Sequence, residues 1–190
     1  MYIYAVKNHS VMALSPFNFV SNALFYTLPL LYWGFNLLKR QPKETKLVFY
    51  VHDYLSGHDT SAITVAGKDW PQASVLHFGT MVAVDDPVTE SPDPKSKEIG
   101  RAQGMYINSQ LDGKGLHLMF SVIFTHGEFK GSTLEIQGAD LFAMKEREFS
   151  IVSGTGFFRF VKGYGIMTTH FIDIPNLKAI LKLHVTVKHY

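Results

Sequence analysis

Cysteine is absent from this chain of 190 residues. Its absence excludes a disulfide framework, a zinc ribbon and any mechanism that depends on a cysteine nucleophile. The 15 Gly and 8 Pro are ordinary numbers for this length, so neither a collagen-like chain nor a low-complexity tail is expected. The length suits one domain with a sizeable hydrophobic core and is short for two domains.

A large excess of one charge is also lacking. The whole chain carries 18 basic and 16 acidic residues, and residues 41–190 carry 15 basic and 16 acidic ones. A nearly neutral domain has no basic stripe that would neutralise a phosphate backbone. We therefore do not expect the protein to bind nucleic acid.

The first forty residues are strongly apolar. No charged side chain occurs between residues 11 and 38, and Lys39 and Arg40 follow. An N-terminal apolar segment followed by strand-like sequence favours a secretory signal. The segment is also long enough for a signal anchor, with the basic pair held in the cytoplasm. A buried core helix is a third interpretation, against which Pro16 and Pro29 count.

We expect residues 1–40 to be a signal peptide or a signal anchor, and residues 41–190 to be the folded domain. The protein is accordingly expected to be secreted to the extracellular space.

The sequence beyond residue 41 has the alternation of β-strands. In its clearest run, Leu181, Leu183, Val185 and Val187 alternate with more polar residues, which places the four on one face of a strand. Other runs are predicted at 47–55, 77–84, 105–108, 116–125, 132–137, 148–152 and 159–170. Short glycine-containing links between runs favour antiparallel hairpins. About eight strands with no helical period between them predict an all-β sandwich or closed barrel.

Familiar catalytic and cofactor motifs do not occur. Gly154-Thr155-Gly156 lacks the third glycine of a dinucleotide fingerprint and precedes a strand. The nine His show no metal-binding spacing. Asp85-Asp86, which precedes Pro87, is more typical of a turn than of a catalytic pair, because adjacent strand residues point to opposite faces. No cofactor and no metal site are expected.

Three charged residues stand at positions where the pattern calls for apolar ones: Asp53, Asp140 and Arg147. Charges inside a barrel are costly unless they pair or line a wet pocket. One interpretation is an Asp–Arg pair that only closes the barrel. The other is a functional site in which a buried carboxyl has a raised pKa and acts as an acid near neutral pH. Tyr106 adds a phenol that is either part of the core or part of this site.

Several blocks of the sequence resemble the plant dirigent family. They cover residues 46–190 and occur in the order found in that family. They are FYVHD at 49–53, HFGT at 77–80, VDDPVT at 84–89, GRAQGMY at 100–106, GAD at 138–140 and VSGTGFF at 152–158.

The resemblance implies an eight-stranded antiparallel β-barrel of the allene oxide cyclase-like, calycin-like type, assembled as a homotrimer in the apoplast. It also implies a stereochemical auxiliary without oxidising activity. Such a protein binds phenoxy radicals of monolignols such as coniferyl alcohol, made by a laccase or peroxidase, and controls how they couple into lignans. Holding two partners in one orientation is the physical contribution of the protein.

The resemblance also assigns roles to individual residues. Asp53 and Asp140 would donate protons to a quinone methide or bind the phenol. Arg147 would hold and tune Asp140, Tyr106 would hydrogen-bond a substrate oxygen, and Phe171 would help to line the pocket.

Two features are similar to the branch of the family that contains pterocarpan synthases. They are Gly163-Tyr164-Gly165 and the C-terminal residues 187–190. In addition, the sequence after residue 40 has no glycosylation sequon. In that branch the barrel is a lyase that dehydrates an isoflavanol by acid catalysis through a quinone methide. A barrel that binds phenolics in the cell wall without catalysis is a third possibility.

Overall fold

The computed structural model describes residues 3–7, 10–14, 41–70 and 74–190. In the N-terminal unit, β1 (Ile3–Lys7) and β2 (Ser10–Leu14) form an antiparallel pair. Residues 15–40, with most of the apolar segment, lie outside the described residues, so the signal peptide or anchor stays a prediction. Within the described ranges, no helix combines the length and the hydrophobicity that a bilayer crossing requires.

Eight strands in the second unit, residues 42–190, close into an antiparallel barrel. Their bounds are β3 (Lys43–Tyr54), β5 (Met81–Thr89), β6 (Glu98–Asn108), β7 (Leu116–Phe124), β8 (Thr133–Asp140), β9 (Arg147–Thr155), β10 (Lys162–Asp173) and β11 (Lys178–His189). Neighbours around the ring follow the order β3-β11-β10-β9-β8-β7-β6-β5, and pairing of β3 with β5 completes it. A short strand that was not predicted, β4 (Ala62–Ala66), extends β5. The predicted eight-stranded antiparallel barrel is confirmed.

Side-chain alternation explains why the sheet curls into a barrel. In β11, Leu183, Val185 and Val187 are at most 1% exposed and face the interior, whereas His184 and Lys188 between and after them are exposed. Burying one such aliphatic side chain contributes about 1.5–3 kcal/mol. A strand with this pattern is stabilised only when its apolar face is covered, and the closed ring covers that face for every strand.

An aromatic cluster fills one end of the barrel. It consists of Phe124 at the end of β7, Phe129 in the following loop, Phe157 and Phe158 in a 3₁₀ turn after β9, and His189 at the end of β11. The Phe129 and Phe158 rings are 5.0 Å apart between centroids, and those of Phe157 and His189 are 4.7 Å apart. This closed end makes the barrel a cup that opens only at the opposite end.

Strand β5 departs from the sequence prediction. The predicted run ended at Val84, with a turn at Asp85-Asp86-Pro87, but β5 continues through these residues to Thr89. Proline is tolerated here because β5 changes partner at this point: Val84 pairs with β4 and Val88 pairs with β3. The missing N–H of Pro87 therefore removes no ladder hydrogen bond. The predicted turn is wrong, and the polar loop begins after Thr89.

Candidate functional site

Two connected hollows occupy the open half of the cup. An inner hollow of about 40 Å³ lies at the barrel centre, and an outer hollow of about 220 Å³ lies toward the open end. Their linings share Asp53, Tyr106, Leu116, Asp140 and Leu181. The remaining lining side chains are mostly apolar, so the shared polar groups face a largely apolar space in which one small guest can be oriented.

Asp53 and Tyr106 meet on the wall of the inner hollow. Asp53 is the last inward-facing residue of β3, and Tyr106 comes from β6, which is separated from β3 by β5. The Tyr106 hydroxyl donates a hydrogen bond to Asp53 Oδ2 at 3.2 Å. The other carboxyl oxygen, Asp53 Oδ1, is buried and has no hydrogen-bond partner among the described residues. Asp53 therefore retains an oxygen that can interact with a guest.

Asp140 and Arg147 form a buried ion pair at the rim of the cup. Asp140 ends β8 and Arg147 begins β9, so the short hairpin loop between them brings their side chains together. Arg147 Nε donates to Asp140 Oδ1 at 2.8 Å, and the two side chains are 3% and 6% exposed. Arg147 Nη1 also donates to Thr169 Oγ1 at 2.9 Å. Arg147 Nη2 is buried and, within the described ranges, unpartnered.

A third carboxyl that the sequence analysis assigned to a turn belongs to the site. Asp86 is 3% exposed and lines the inner hollow together with Asp53. Its Oδ1 accepts a hydrogen bond from Ser61 Oγ at 2.6 Å. Its neighbour Asp85 points outward and pairs with Arg101 at 2.8 Å. Strand alternation identifies Asp86 only once β5 is known to continue through Pro87, since one of two adjacent aspartates on a strand must then face inward.

The carboxyls of the cup are poor at losing their protons. Removal from water raises the pKa of Asp53 to about 6, against the lowering effect of the Tyr106 hydrogen bond. Removal from water, followed by the charge of Asp53, raises the pKa of Asp86 to about 9. Burial raises the pKa of Asp140, while the Arg147 guanidinium acts in the opposite direction. Burial also raises the pKa of the Tyr106 phenol, which stays neutral.

Phe171 lies apart from this group. A β-bulge at His170 shifts the pairing of β10 with β11 between Thr169 and Phe171. The shift reverses which side chains point inward, so Thr169 and Ile172 line the outer hollow whereas Phe171 is 47% exposed and lines neither hollow. Simple period-two alternation from Met167 predicts the wrong face for Phe171. The structure brings together the other four predicted residues, Asp53, Tyr106, Asp140 and Arg147.

Comparison with known proteins places this cup in a family. A model of the family described as "Dirigent-like protein" matches residues 44–188. The chain belongs to the dirigent family. Dirigent protein 11 of Arabidopsis thaliana is 40% identical over 147 residues, which cover 77% of this chain and 75% of that protein.

Pterocarpan synthases are similar to this dirigent chain to nearly the same degree. Pterocarpan synthase 1 of Glycine max is 37% identical over 152 residues, which cover 80% of this chain and 82% of that protein. The solved structure of the pterocarpan synthase dirigent protein GePTS1 is 38% identical, with a TM-score of 0.74, and the match covers 80% of this chain and 88% of that chain.

The dirigent cup offers acid chemistry and oriented binding. It holds carboxyls with raised pKa values, of which Asp86, with a pKa of about 9, keeps its proton at neutral pH, and a guanidinium with an N–H that has no partner among the described residues. In the part of the chain that the structure describes, no group of three or more His, Asp or Glu side chains is arranged to hold a metal ion. Proton donation to a phenolic oxygen, and a hydrogen bond or charge that stabilises the developing anion, are what these side chains can supply.

Proposed function

We propose that this protein binds phenoxy radicals and the quinone methides derived from them, and that it imparts stereoselectivity on the coupling of monolignols such as coniferyl alcohol. The protein has no oxidising activity of its own in this proposal. A separate laccase or peroxidase removes one electron and one proton from each phenol, and two radicals then each contribute one electron to the new carbon–carbon bond. The apolar cup supplies orientation, which is the decisive contribution to a coupling step with little barrier.

The observation that carries the proposal is the convergence of Asp53, Tyr106, Asp140 and Arg147 on one largely apolar space. Asp53 donates its proton to the oxygen of the quinone methide. A hydroxyl of the same guest then attacks the methide carbon and gives its proton to the Asp140 carboxylate. Arg147 holds that carboxylate through the 2.8 Å contact, and its free N–H binds a second guest oxygen.

Secretion to the apoplast and assembly as a homotrimer belong to the same proposal. They rest on the apolar N-terminal residues and on membership of the dirigent family.

The test incubates the protein with coniferyl alcohol and a laccase, and chiral chromatography measures the enantiomer ratio of the dimers. We expect racemic dimers with the laccase alone, no dimers with the protein alone, and an excess of one enantiomer with both. Asp53→Asn should reduce that excess, whereas Asp59→Asn, an exposed aspartate outside the cup, should not. Racemic dimers at saturating protein would reject coupling control for this alcohol.

A second function, dehydration of an isoflavanol, is favoured by one specific observation. The pKa of Asp53 is raised to about 6, which suits a general acid for a hydroxyl leaving group. Asp53 would protonate that hydroxyl, which departs as water, while the phenol of the substrate gives its proton to the Asp140 carboxylate and the substrate becomes a quinone methide. An internal hydroxyl then adds to the methide, and its proton returns to the phenolic oxygen.

Turnover of an isoflavanol without any oxidant tests this second function. General acid catalysis contributes about 10²–10⁴-fold, so Asp53→Asn should lower the rate by at least about 100-fold, with Asp59→Asn as the control. If the isoflavanol is consumed equally fast by both variants, Asp53 is not the acid. Saturable binding of either phenolic with no effect on products would instead indicate a non-catalytic phenolic-binding protein.

A further inference from the structure

The hydrogen-bonded ladder of the barrel wall is very short where β3 meets β5, and a gap lies beside it. Strands β3 and β5 pair only at Tyr50–Thr89 and Val51–Val88, and they separate beyond that point. Ser61, which precedes β4, fills the space between them. Its N–H donates to Tyr54 O at 2.9 Å and its carbonyl accepts from Asp85 N at 2.8 Å. We call this gap, bridged by the Ser61 backbone, the seam.

The Ser61 side chain points from the seam toward the interior of the cup. It lies 2.6 Å from Asp86 Oδ1, to which it donates, and Ser61 itself is only half-buried. Asp86 in turn is 3% exposed and shares the inner hollow with Asp53. The hollow has a volume of about 40 Å³, and a space of about 10–15 Å³ is enough for one water molecule. Ser61 at the seam thus contacts Asp86, which lines the inner hollow with Asp53. The same hydroxyl lies 3.2 Å from His52 O and accepts from Tyr54 N–H at 3.3 Å.

We propose that Ser61 and Asp86 form a proton relay that recharges Asp53 through the seam while a guest fills the open end of the cup. The purpose of the relay rests on the proposed function, since both reactions take a proton from Asp53 and deliver one to a different group. A guest in the outer hollow separates Asp53 from bulk water on that side. Only a route through the wall then returns Asp53 to its acid form before the product leaves.

The proton balance of the relay is simple. After Asp53 has given its proton to the guest, the Asp86 acid gives its proton to the Asp53 carboxylate across the inner hollow. The Ser61 hydroxyl gives its proton to the Asp86 carboxylate and receives one from solvent water. The result is the transfer of one proton from solvent to Asp53, with Ser61 and Asp86 unchanged.

Charged groups around Asp86 determine which of the two carboxyls loses its proton first. Asp53 faces Asp86 across the hollow, and its charge, once formed, favours the protonated form of Asp86. Asp85 on the outer face acts in the same direction, whereas Arg101 on β6 and the Ser61 hydrogen bond act against it. Tyr106 and Asp140 line the same hollow. Asp53 therefore ionises before Asp86, and Asp86 remains available as the donor.

Infrared spectroscopy of the protein saturated with coniferyl alcohol, with no oxidase present, tests the relay without relying on turnover, because the guest closes the route through the open end. The protein is mixed rapidly with deuterated buffer below pH 6, and the carboxylic-acid bands of Asp53 and Asp86, assigned from Asp53→Asn and Asp86→Asn, report exchange of their protons. Ser61→Ala should slow exchange at Asp86 by at least tenfold, and Ser61→Thr should restore it. Thr60→Ala, which removes an exposed hydroxyl that bonds only Gly57 O, should leave exchange unchanged.

Exchange at Asp86 in Ser61→Ala within twofold of the parent rate would overturn the proposal, and so would equal slowing by Thr60→Ala. Coupling of the two carboxyls is a separate requirement: Asp53→Asn should lower the pKa of Asp86, and an unchanged pKa would show that the path stops at Asp86. Should Ser61→Ala unfold, Ser61→Thr and Asp53→Asn still decide the question. Because no oxidase is present and saturation with the guest is checked separately, failure of the relay is distinguishable from failure of the proposed function, which the chiral product assay decides.

Discussion

The buried pair Asp140–Arg147 should respond asymmetrically when one partner is removed. Asp140→Leu leaves a guanidinium that cannot lose its proton among apolar neighbours. Arg147→Met leaves a carboxyl that can take up a proton and become neutral. We therefore expect Asp140→Leu to be the more destabilising substitution, and the double variant, with neither charge, to be more stable than Asp140→Leu alone.

The magnitude follows from the burial of the two side chains, which are 3% and 6% exposed at a separation of 2.8 Å. Breaking such a pair by removing one partner costs about 3–5 kcal/mol, and replacing both partners by apolar residues is often neutral or stabilising. With a urea dependence of about 2 kcal/mol per molar, Asp140→Leu should lower the unfolding midpoint by about 2 M.

The decrease in the free energy of unfolding caused by Arg147→Met should depend on pH. Without the guanidinium, burial alone acts on the pKa of Asp140 and raises it further. The folded-state pKa of Asp140 in this variant lies above the unfolded value of about 4. The full stability of the variant is therefore present below about pH 4 and is lost as pH rises through the folded-state pKa of Asp140. The free energy of unfolding of Arg147→Met should therefore be close to that of the parent protein at pH 5 and clearly lower than it at pH 8.

Urea unfolding followed by circular dichroism at pH 5 and pH 8 measures these differences. The exposed pair Lys97–Glu90 has the same type of contact at 2.9 Å, so Glu90→Gln is a matched control that should cost less than about 1 kcal/mol. The reasoning would be refuted if Arg147→Met cost more than Asp140→Leu at pH 5. A double variant no more stable than Asp140→Leu would refute it equally.

Three further predictions concern the cup. The raised pKa values of Asp53 and Asp86 predict that the thermal midpoint falls as pH rises from 5 to 9, and that the double Asn variant shows a smaller fall in calorimetry. Tyr106→Phe should raise the pKa of Asp53, because it removes a hydrogen bond that lowers that pKa. Carbon NMR of labelled aspartate measures this pKa, and an unchanged value would contradict the prediction. Gly165→Ala should cost about 1–3 kcal/mol in urea unfolding, because its Cβ would lie 2.1 Å from Phe149 Cζ, and an unaffected midpoint would show that the ring can move away.

Local sequence patterns were sufficient for most of the barrel. The alternation in β7 and β11 and the glycine-containing links predicted strands and antiparallel hairpins, and the same alternation placed Asp53 and Arg147 on inward faces. These predictions succeeded because a strand that is half covered must alternate, whatever its partner. Strand β4 was missed because its five residues are too few to show a clear period.

Two errors had a cause that no local pattern reveals. Pro87 is allowed within β5 only because the strand changes partner there, and that change depends on residues 25 positions earlier around Ala62. Phe171 points outward only because a bulge at His170 is accommodated by the pairing with β11. Both features are properties of strand pairing across the barrel. The turn assigned to Asp86 followed from treating its strand alone, whereas the lining role of Phe171 came from the resemblance to the dirigent family.

The placement of the polar groups on strands has a consequence for substrate choice. Asp53, Asp86, Tyr106, Asp140 and Arg147 all lie within strands of the closed barrel, whose ladders fix them more tightly than loops can. The outer hollow, in contrast, is completed by Val75, Leu76, Phe142, Ile174 and Leu177 from the loops at the open end, where variation is tolerated. Loops can thus change which guest fits while the acids keep their positions.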